Sequence, residues 1–250
     1  MKSLLKISII TATYNSYPNI LNVLNNIQSQ SFANIELIII DGGSSDGTVK
    51  VIENCDFVSH YISAPDKGIY DALNKGVELA TGDVIGFLHS DDVFADNYII
   101  SKIASQFESN NVDGVYGDLQ YVDKQNTSKV IRNWKSCNFE THLLKKGWMP
   151  AHPTMFLKKE VYQKHGSFNL AYKIAADYDF MLRILKDRHL IFFYLPEVFT
   201  KMRVGGASNR SLKNIILKSI EDYSIIKRNN IGGFYTLFLK NISKIKQFFM

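Results

Sequence analysis

A chain of 250 residues, 46% of them hydrophobic, can bury a sizeable core, which excludes both a disordered chain and a small disulfide-stapled scaffold. Two cysteines, Cys55 and Cys137, have no metal-ligand spacing and read as reduced and structural, as in a cytosolic protein. The net charge of +5 is uneven: from Lys201 onward ten basic residues stand against two acidic ones, so the end carries +8 and the first 200 residues −3, an asymmetry that suits an anionic surface as partner.

The first residues run straight into a strand with no separate apolar segment or cleavage site, and no apolar run is long enough to span a bilayer. Residues 6–13 read as an Ile-rich strand, broken at residues 14–18. Ile20, Leu21, Leu24 and Ile27 then recur at helical spacing. Residues 35–40 form a second strand ending in Asp41-Gly42-Gly43-Ser44-Ser45-Asp46-Gly47, a turn into a helix with Val49 and Ile52. Residues 57–62 are a weaker third strand. A helix with Ile69, Leu73, Val77 and Leu79 follows Pro65-Asp66-Lys67-Gly68. Val84 to Leu88 is a short buried strand that delivers His89, Ser90, Asp91 and Asp92 to a sheet edge, ahead of a helix near Ala95. Strands alternating with helices predict a parallel sheet with crossovers, whose ligands bind at the carboxyl edge.

Beyond about residue 110 the alternation gives way to a strand at 112–122, a partner for it at 129–134, and a turn-rich loop at 148–153. A helix is expected at 177–187 and a further strand at 190–195. The reading is of one α/β domain: residues 1–110 its nucleotide-binding part, 111–208 its acceptor-binding part, and 209–250 a C-terminal helical appendage split at Gly232-Gly233. That appendage mixes basic, aliphatic and aromatic residues, the composition of an interfacial helix on anionic lipid. No recognised nucleic-acid module is present.

Two adjacent carboxylates at a sheet edge, Asp91 and Asp92, repel one another unless a cation or proton intervenes, and their oxygens suit a hard divalent ion that also holds nucleotide phosphates. An acid after the second strand, Asp41, can accept a hydrogen bond from a base or ribose.

Five blocks in order resemble glycosyltransferase family 2, the inverting group with the GT-A fold. They are Ile10-Thr11-Ala12-Thr13-Tyr14-Asn15, Ile40-Asp41-Gly42-Gly43-Ser44-Ser45-Asp46-Gly47-Thr48, the run from Asp66 to Gly76, Thr81-Gly82-Asp83 through Ser90-Asp91-Asp92, and Ala176-Asp177-Tyr178-Asp179. The resemblance implies a mostly parallel GT-A sheet flanked by helices. It implies that Thr11, Tyr14 and Asn15 cradle the base and ribose of a UDP-sugar, that Asp41 reads the base, and that Lys67 and Gly68 line the nucleotide site. Asp91 and Asp92 match the end of the family's Asp-X-Asp motif, which holds Mn²⁺ or Mg²⁺ on the diphosphate, and Asp177 matches the general base; Asp179 is left as structural. The chain departs from the pattern at His89, where the family often has the first acid. His89 reads as lying behind the metal ligands or facing the sugar, and Trp148, His152 and Arg203 are candidate donor or acceptor contacts.

The expected activity is metal-dependent, inverting transfer of a hexose or N-acetylhexosamine from a UDP-sugar to a glycan or lipid-linked acceptor in bacterial polysaccharide or lipopolysaccharide assembly. The expected location is the cytoplasm, peripheral on the inner face of the cell membrane. The rival of another class is a non-catalytic glycan- or membrane-binding partner, supported by His89 alone. A sugar nucleotidylyltransferase would need a Gly-rich, Arg-bearing loop after the first strand, which residues 11–15 are not.

Overall fold

A computed structural model describes residues 4–205 and 212–246. Its first part alternates strands and helices as the hydrophobic periodicity requires: β1 (Ile7–Thr13), α1 (Asn19–Gln28), β2 (Ile35–Asp41), α2 (Thr48–Glu53), β3 (Val58–Ser63), α3 (Ile69–Leu79) and β4 (Val84–Phe87). There follow β5 (Val93–Phe94), α4 (Ile99–Ser109), β6 (Gly114–Val122), β7 (Val130–Trp134), α5 (His142–Lys145), a 3-10 turn at His152–Thr154, β8 (Phe156–Lys158), α6 (Lys159–His165), α7 (Ala176–Leu185), β9 (Phe192–Arg203), α8 (Leu212–Arg228) and α9 (Phe234–Lys246).

The strands make one sheet in the order β3-β2-β1-β4-β8-β6-β9-β5, with β7 also on β6. β1 to β4 are mutually parallel, β8 runs against β4 and β6, and β9 is parallel to β6. Six strands therefore point one way, while β5, β7 and β8 oppose them. As a result β1, β2, β4, β6 and β9 all end at the same edge, which carries the loops that matter below.

Both sheet faces are covered, which is why the first strands are near-continuous apolar runs. Ile10, Ala12, Ile38, Ile40, Ile85 and Phe87 pack under α3, α6 and α7. Ile7, Ile9, Leu37, Ile39 and Val84 pack under α1, α2 and α4. Burying an Ile of this kind contributes roughly 2–3 kcal/mol. One charged group interrupts the core beneath β1: Glu36 accepts hydrogen bonds from Lys6 Nζ (2.7 Å), the Ser8 hydroxyl (2.6 Å) and the Thr81 amide (2.8 Å). Burial opposes its ionisation, but Lys6 and the Ser8 and Thr81 donors outweigh that and lower its pKa to about 2.

Several expectations shift. The strand expected at 190–195 runs on to Arg203, because Pro196 falls where the β6–β9 register breaks, between the pairs Tyr116–Tyr194 and Asp118–Val198. A strand tolerates proline at such a bulge. The helix expected near Ala95 begins at Ile99, since residues 93 and 94 instead pair with β9. The expected C-terminal helices are present, as α8 and α9, and Ile225, Ile226 and Ile231 pack into the core on the α7 side.

Candidate active site

At the end of β2, Asp41 is fully buried. Its Oδ2 accepts the amides of Gly43 (3.0 Å) and Ser44 (2.9 Å) and the Ser63 hydroxyl (2.7 Å), and its Oδ1 accepts the Ser44 hydroxyl. Three of these donors lie in its own turn and the fourth, Ser63, ends β3, so Asp41 organises the turn and ties it to the neighbouring strand. Asp66 and Tyr14 both crowd the Gly42 backbone: a Cβ there would lie 2.9 Å from Asp66 Oδ2 and 3.3 Å from the Tyr14 ring, which only glycine permits.

The loop after β1 presents Tyr14, which is 64% exposed, and Asn15, held at φ 46°. Asn15 is clamped to the β2 turn by its amide on Ser44 Oγ (2.7 Å) and by its Oδ1 on the Ser45 amide (2.9 Å). Thr11 is not on this loop: it is fully buried inside β1, beside Ile39, and its hydroxyl has no hydrogen-bond partner among the described residues. Lys67 and Gly68 are exposed at the start of α3, with the Gly68 amide donating to Asp66 Oδ1 (2.8 Å).

The turn after β4 is tied to the same loop. Ser16 and Ser90 share a hydroxyl hydrogen bond (2.9 Å), and Asn19 Nδ2 donates to Asp91 Oδ1 (2.9 Å). Asp91 is exposed, whereas Asp92 is 2% exposed. From the far half of the sheet, Arg203 at the end of β9 gives its amide to Asp92 Oδ1 (3.2 Å) and its guanidinium to the Asp91 carbonyl. Burial pushes the Asp92 carboxyl up to about 8 against the pull of the Arg203 amide. A buried acid with so little positive charge suits a cation. Among the described residues no cluster of three His, Cys, Asp or Glu side chains could hold a metal alone.

On the other face, Asp177 opens α7. Its Oδ1 accepts the Tyr178 amide (2.8 Å) and lies 3.1 Å from the Tyr70 hydroxyl of α3, which also donates to the Ile174 carbonyl (2.8 Å). Burial opposes ionisation of Asp177, but Lys218, His152, Lys240 and the Tyr178 amide outweigh it and hold the carboxyl below its ordinary value. It is not the cap of its helix: the residue before α7 is Ala175, and no side-chain cap bond forms there. Asp179 is buried and paired with Arg183 (2.9 Å), a structural place.

His89 and His152 stand between the two faces. Their rings stack 6.2 Å apart, and His152 also lies against Phe87 (5.0 Å) and Phe168 (5.2 Å). His89 Nδ1 and His152 Nε2 are buried without a hydrogen-bond partner among the described residues. Burial, with His152 beside it, lowers the His89 pKa to about 4, and burial lowers that of His152, so both rings are neutral near pH 7. Asp177 acts electrostatically on both rings, and Tyr121 of β6 feels both Asp92 and Asp177. Trp148 lies apart, in an aromatic cluster with Phe139 (6.0 Å) and Tyr116 (6.1 Å).

Open α/β sheets bind ligands at the carboxyl ends of their strands, and proteins of one class share this architecture. Four solved glycosyltransferase structures of Staphylococcus aureus TarS match this fold; the complex with UDP-GlcNAc has TM-score 0.69 and 16% identity, over 90% of this chain and 65% of that one. The mannosyltransferase PcManGT of Pyrobaculum calidifontis, in complex with GDP-Man and Mn²⁺, matches with TM-score 0.67 and 15% identity over 99% of this chain and 74% of that one. These neighbours have the GT-A fold. The chain spans only 39% of the longest TarS chain. The family model "Glycosyl transferase family 2" matches residues 8–166, and the chain belongs to that family. It is 30% identical over 227 residues to a PGL/p-HBAD biosynthesis glycosyltransferase of Mycobacterium bovis, covering 85% of this chain and 83% of the relative. An uncharacterized glycosyltransferase of Haemophilus influenzae is also 30% identical, over 90% of both chains.

The sequence motifs led to most of these residues but not to Asp66, Asn19, Tyr70 or Tyr121. Asp66 and Tyr70 lie inside a quoted block, where an acid next to a turn and a tyrosine on an amphipathic helix carry no signal of their own. Asn19 and Tyr121 matter only through pairing across the sheet edge.

Proposed function

We propose that the protein is a metal-dependent, inverting glycosyltransferase that moves a hexose or N-acetylhexosamine from a UDP-sugar to a glycan or lipid-linked acceptor. What supports the reading is that Asp177 acts electrostatically on His89, His152 and Tyr121, and Asp92 acts on Tyr121 too, beside histidine nitrogens that have no partner among the described residues. Tyr14 and Asp66 flank the base, Asn15 ties the Tyr14 loop to the turn after β2, and Asp41 fixes that turn. Lys67 and Gly68 lie at the rim of the nucleotide, and His89 and His152 offer a donor or acceptor to sugar hydroxyls. Asp91 and Asp92 would hold Mn²⁺ or Mg²⁺, which when bound offsets the negative charge growing on the diphosphate.

Asp177, ionised near neutral pH, takes the proton of the acceptor hydroxyl as that oxygen attacks the anomeric carbon. The new carbon–oxygen bond forms on the face opposite the leaving group, the bond to the diphosphate breaks, and UDP departs, so the anomeric configuration inverts. Neutral His89 and His152 keep positive charge away from a carbon that is itself gaining it. Arg203 braces the acidic turn from β9.

No helix among the described residues is long and apolar enough to cross a membrane. α8 and α9 instead expose Ile216, Ile220, Tyr223, Phe234 and Phe238 while burying Glu221, Asp222 and Lys240. Apolar residues outside and charged ones inside invert the usual order, and exposed Lys213, Lys227 and Arg228 add positive charge beside them. This favours peripheral contact with anionic lipid, on the cytoplasmic face of a bacterial membrane and near a lipid-linked acceptor.

The test is UDP release from UDP-glucose, UDP-galactose and UDP-N-acetylglucosamine with Mn²⁺, then after chelation. Metal-dependent release from one of them is the expected result. UDP binding with no release from any UDP-sugar tried would support the binding-partner reading instead.

A further inference from the structure

Glu221, on α8, is 44 residues beyond Asp177 and 7% exposed, yet all its hydrogen bonds go to the segment that presents Asp177. Its Oε1 accepts the Lys173 amide (2.8 Å), and its Oε2 accepts the amides of Ile174 (2.9 Å) and Ala175 (2.9 Å). Of these amides only that of Ala175 belongs to the donors a helix start leaves open; those of Lys173 and Ile174 precede it, so Glu221 holds the lead-in to α7, where no side-chain cap bond forms. The next residue, Asp222, is also buried. It pairs with Lys240 Nζ of α9 (2.6 Å) and with Lys218 (3.5 Å). Lys240 Nζ in turn lies 3.1 Å from the centre of the Tyr178 ring, one residue from Asp177.

We propose that the C-terminal helix pair belongs to the catalytic apparatus: Glu221 is a positioning residue that sets where Asp177 stands, and Lys218 with Lys240 supplies the positive charge behind it. The inference rests on Asp177 being the base. A carboxylate that must meet a hydroxyl within hydrogen-bond reach loses rate when its backbone shifts by about an ångström. Three charge-assisted bonds from one buried acid hold the backbone against that shift. The Tyr70 hydroxyl, on the Ile174 carbonyl, holds the same segment from α3. The groups that act on Asp177 are Tyr70 from α3, Tyr121 from β6, His89 after β4, His152 from the 3-10 turn, Lys218 from α8 and Lys240 from α9. The two lysines are the only cations in this set, because both imidazoles are neutral near pH 7. The arrangement also gives the buried charges of these helices a place: Glu221 holds the amides leading into α7, and Asp222 pairs with Lys240 over the Tyr178 ring.

The experiment uses the full chain and hydrolysis of the UDP-sugar that turns over, in which water replaces the acceptor hydroxyl. Glu221→Ala and Glu221→Gln are compared with Lys218→Met, a side chain at the protein surface whose loss leaves Asp222 paired with Lys240. The Glu221 variants are expected to lose at least about tenfold in kcat while UDP affinity stays within about twofold. In Lys218→Met the acidic limb of the kcat profile is expected to move to higher pH, since the base loses a neighbouring cation. A merely structural tail would give neither the kcat–affinity split nor the shifted limb. If the Glu221 variants do not fold, the Lys218→Met profile decides. Asp177→Asn is run alongside. If it turns over normally, the base assignment fails; if it is inactive but the Glu221 and Lys218 variants keep wild-type kcat and an unmoved limb, the positioning role is overturned.

Discussion

Two acids, Asp41 and Asp66, lie on either side of Gly42, and their surroundings give them different tasks. Asp41 spends its carboxylate on four donors, three in its own turn and one from Ser63 at the end of β3, whereas Asp66 Oδ2 lies against the Gly42 backbone beside Tyr14. Asp66→Ala is therefore expected to weaken UDP binding by about tenfold with little change in melting temperature, as loss of one charge-assisted hydrogen bond would. Asp41→Asn is expected to cost about 1–3 kcal/mol of stability through unsatisfied turn donors. Calorimetry with UDP and a urea titration of both variants check the division; the reverse pattern would return base recognition to Asp41. Glu36 gives a pH signature away from the site. Its folded pKa of about 2 lies below the ordinary value of 4.5, so its stabilisation is complete above pH 4.5 and lost as pH falls toward 2. The span corresponds to about 3 kcal/mol. Urea midpoints measured between pH 5 and 2 should fall less steeply in Glu36→Gln than in the parent chain.

At the scale of elements, the strand–helix alternation through β4 was legible because buried parallel strands read as Ile runs and the helices between them keep a 3.6-residue period. The later half was less so. The continuation of β9 past Pro196 depends on a register break in its partner β6, which one strand's sequence does not contain. β8 is three residues long, too short for any periodicity, yet it is the strand that inserts between β4 and β6 and joins the halves. The helix pair was legible as basic and apolar, but not its orientation. Buried Glu221, Asp222 and Lys240 turn the charged face inward, and only the position of α7 supplies the reason. Substitution on the outer face should separate surface from core. Ile216→Glu with Ile220→Glu is expected to change stability by less than about 1 kcal/mol, as for exposed positions, and to abolish flotation with phosphatidylglycerol vesicles. Ile226→Ala, inside the core, is expected to cost about 2–5 kcal/mol. Unchanged flotation of the double variant would remove the outer face as a lipid contact.

At the scale of the whole molecule, the sheet edge is shared by three stretches far apart in sequence. The first four parallel strands bring the loops that carry Tyr14, Asp41 and Asp91–Asp92, β9 returns Arg203 to brace Asp91 and Asp92, and α7 brings Asp177 with α8 and α9 packed against its start. Motifs named Asp177 and Asp91–Asp92 without revealing the hydrogen bonds that hold them, since those partners are distant in sequence and ordinary in type. The most direct test of the shared edge is Asp177→Asn, measured as calorimetric UDP affinity with Mn²⁺ and as UDP release from the sugar donor. The expected result is UDP affinity within about twofold of the parent and release lower by about a hundredfold or more, as for loss of a general base. Release at the parent rate would contradict the assignment of Asp177.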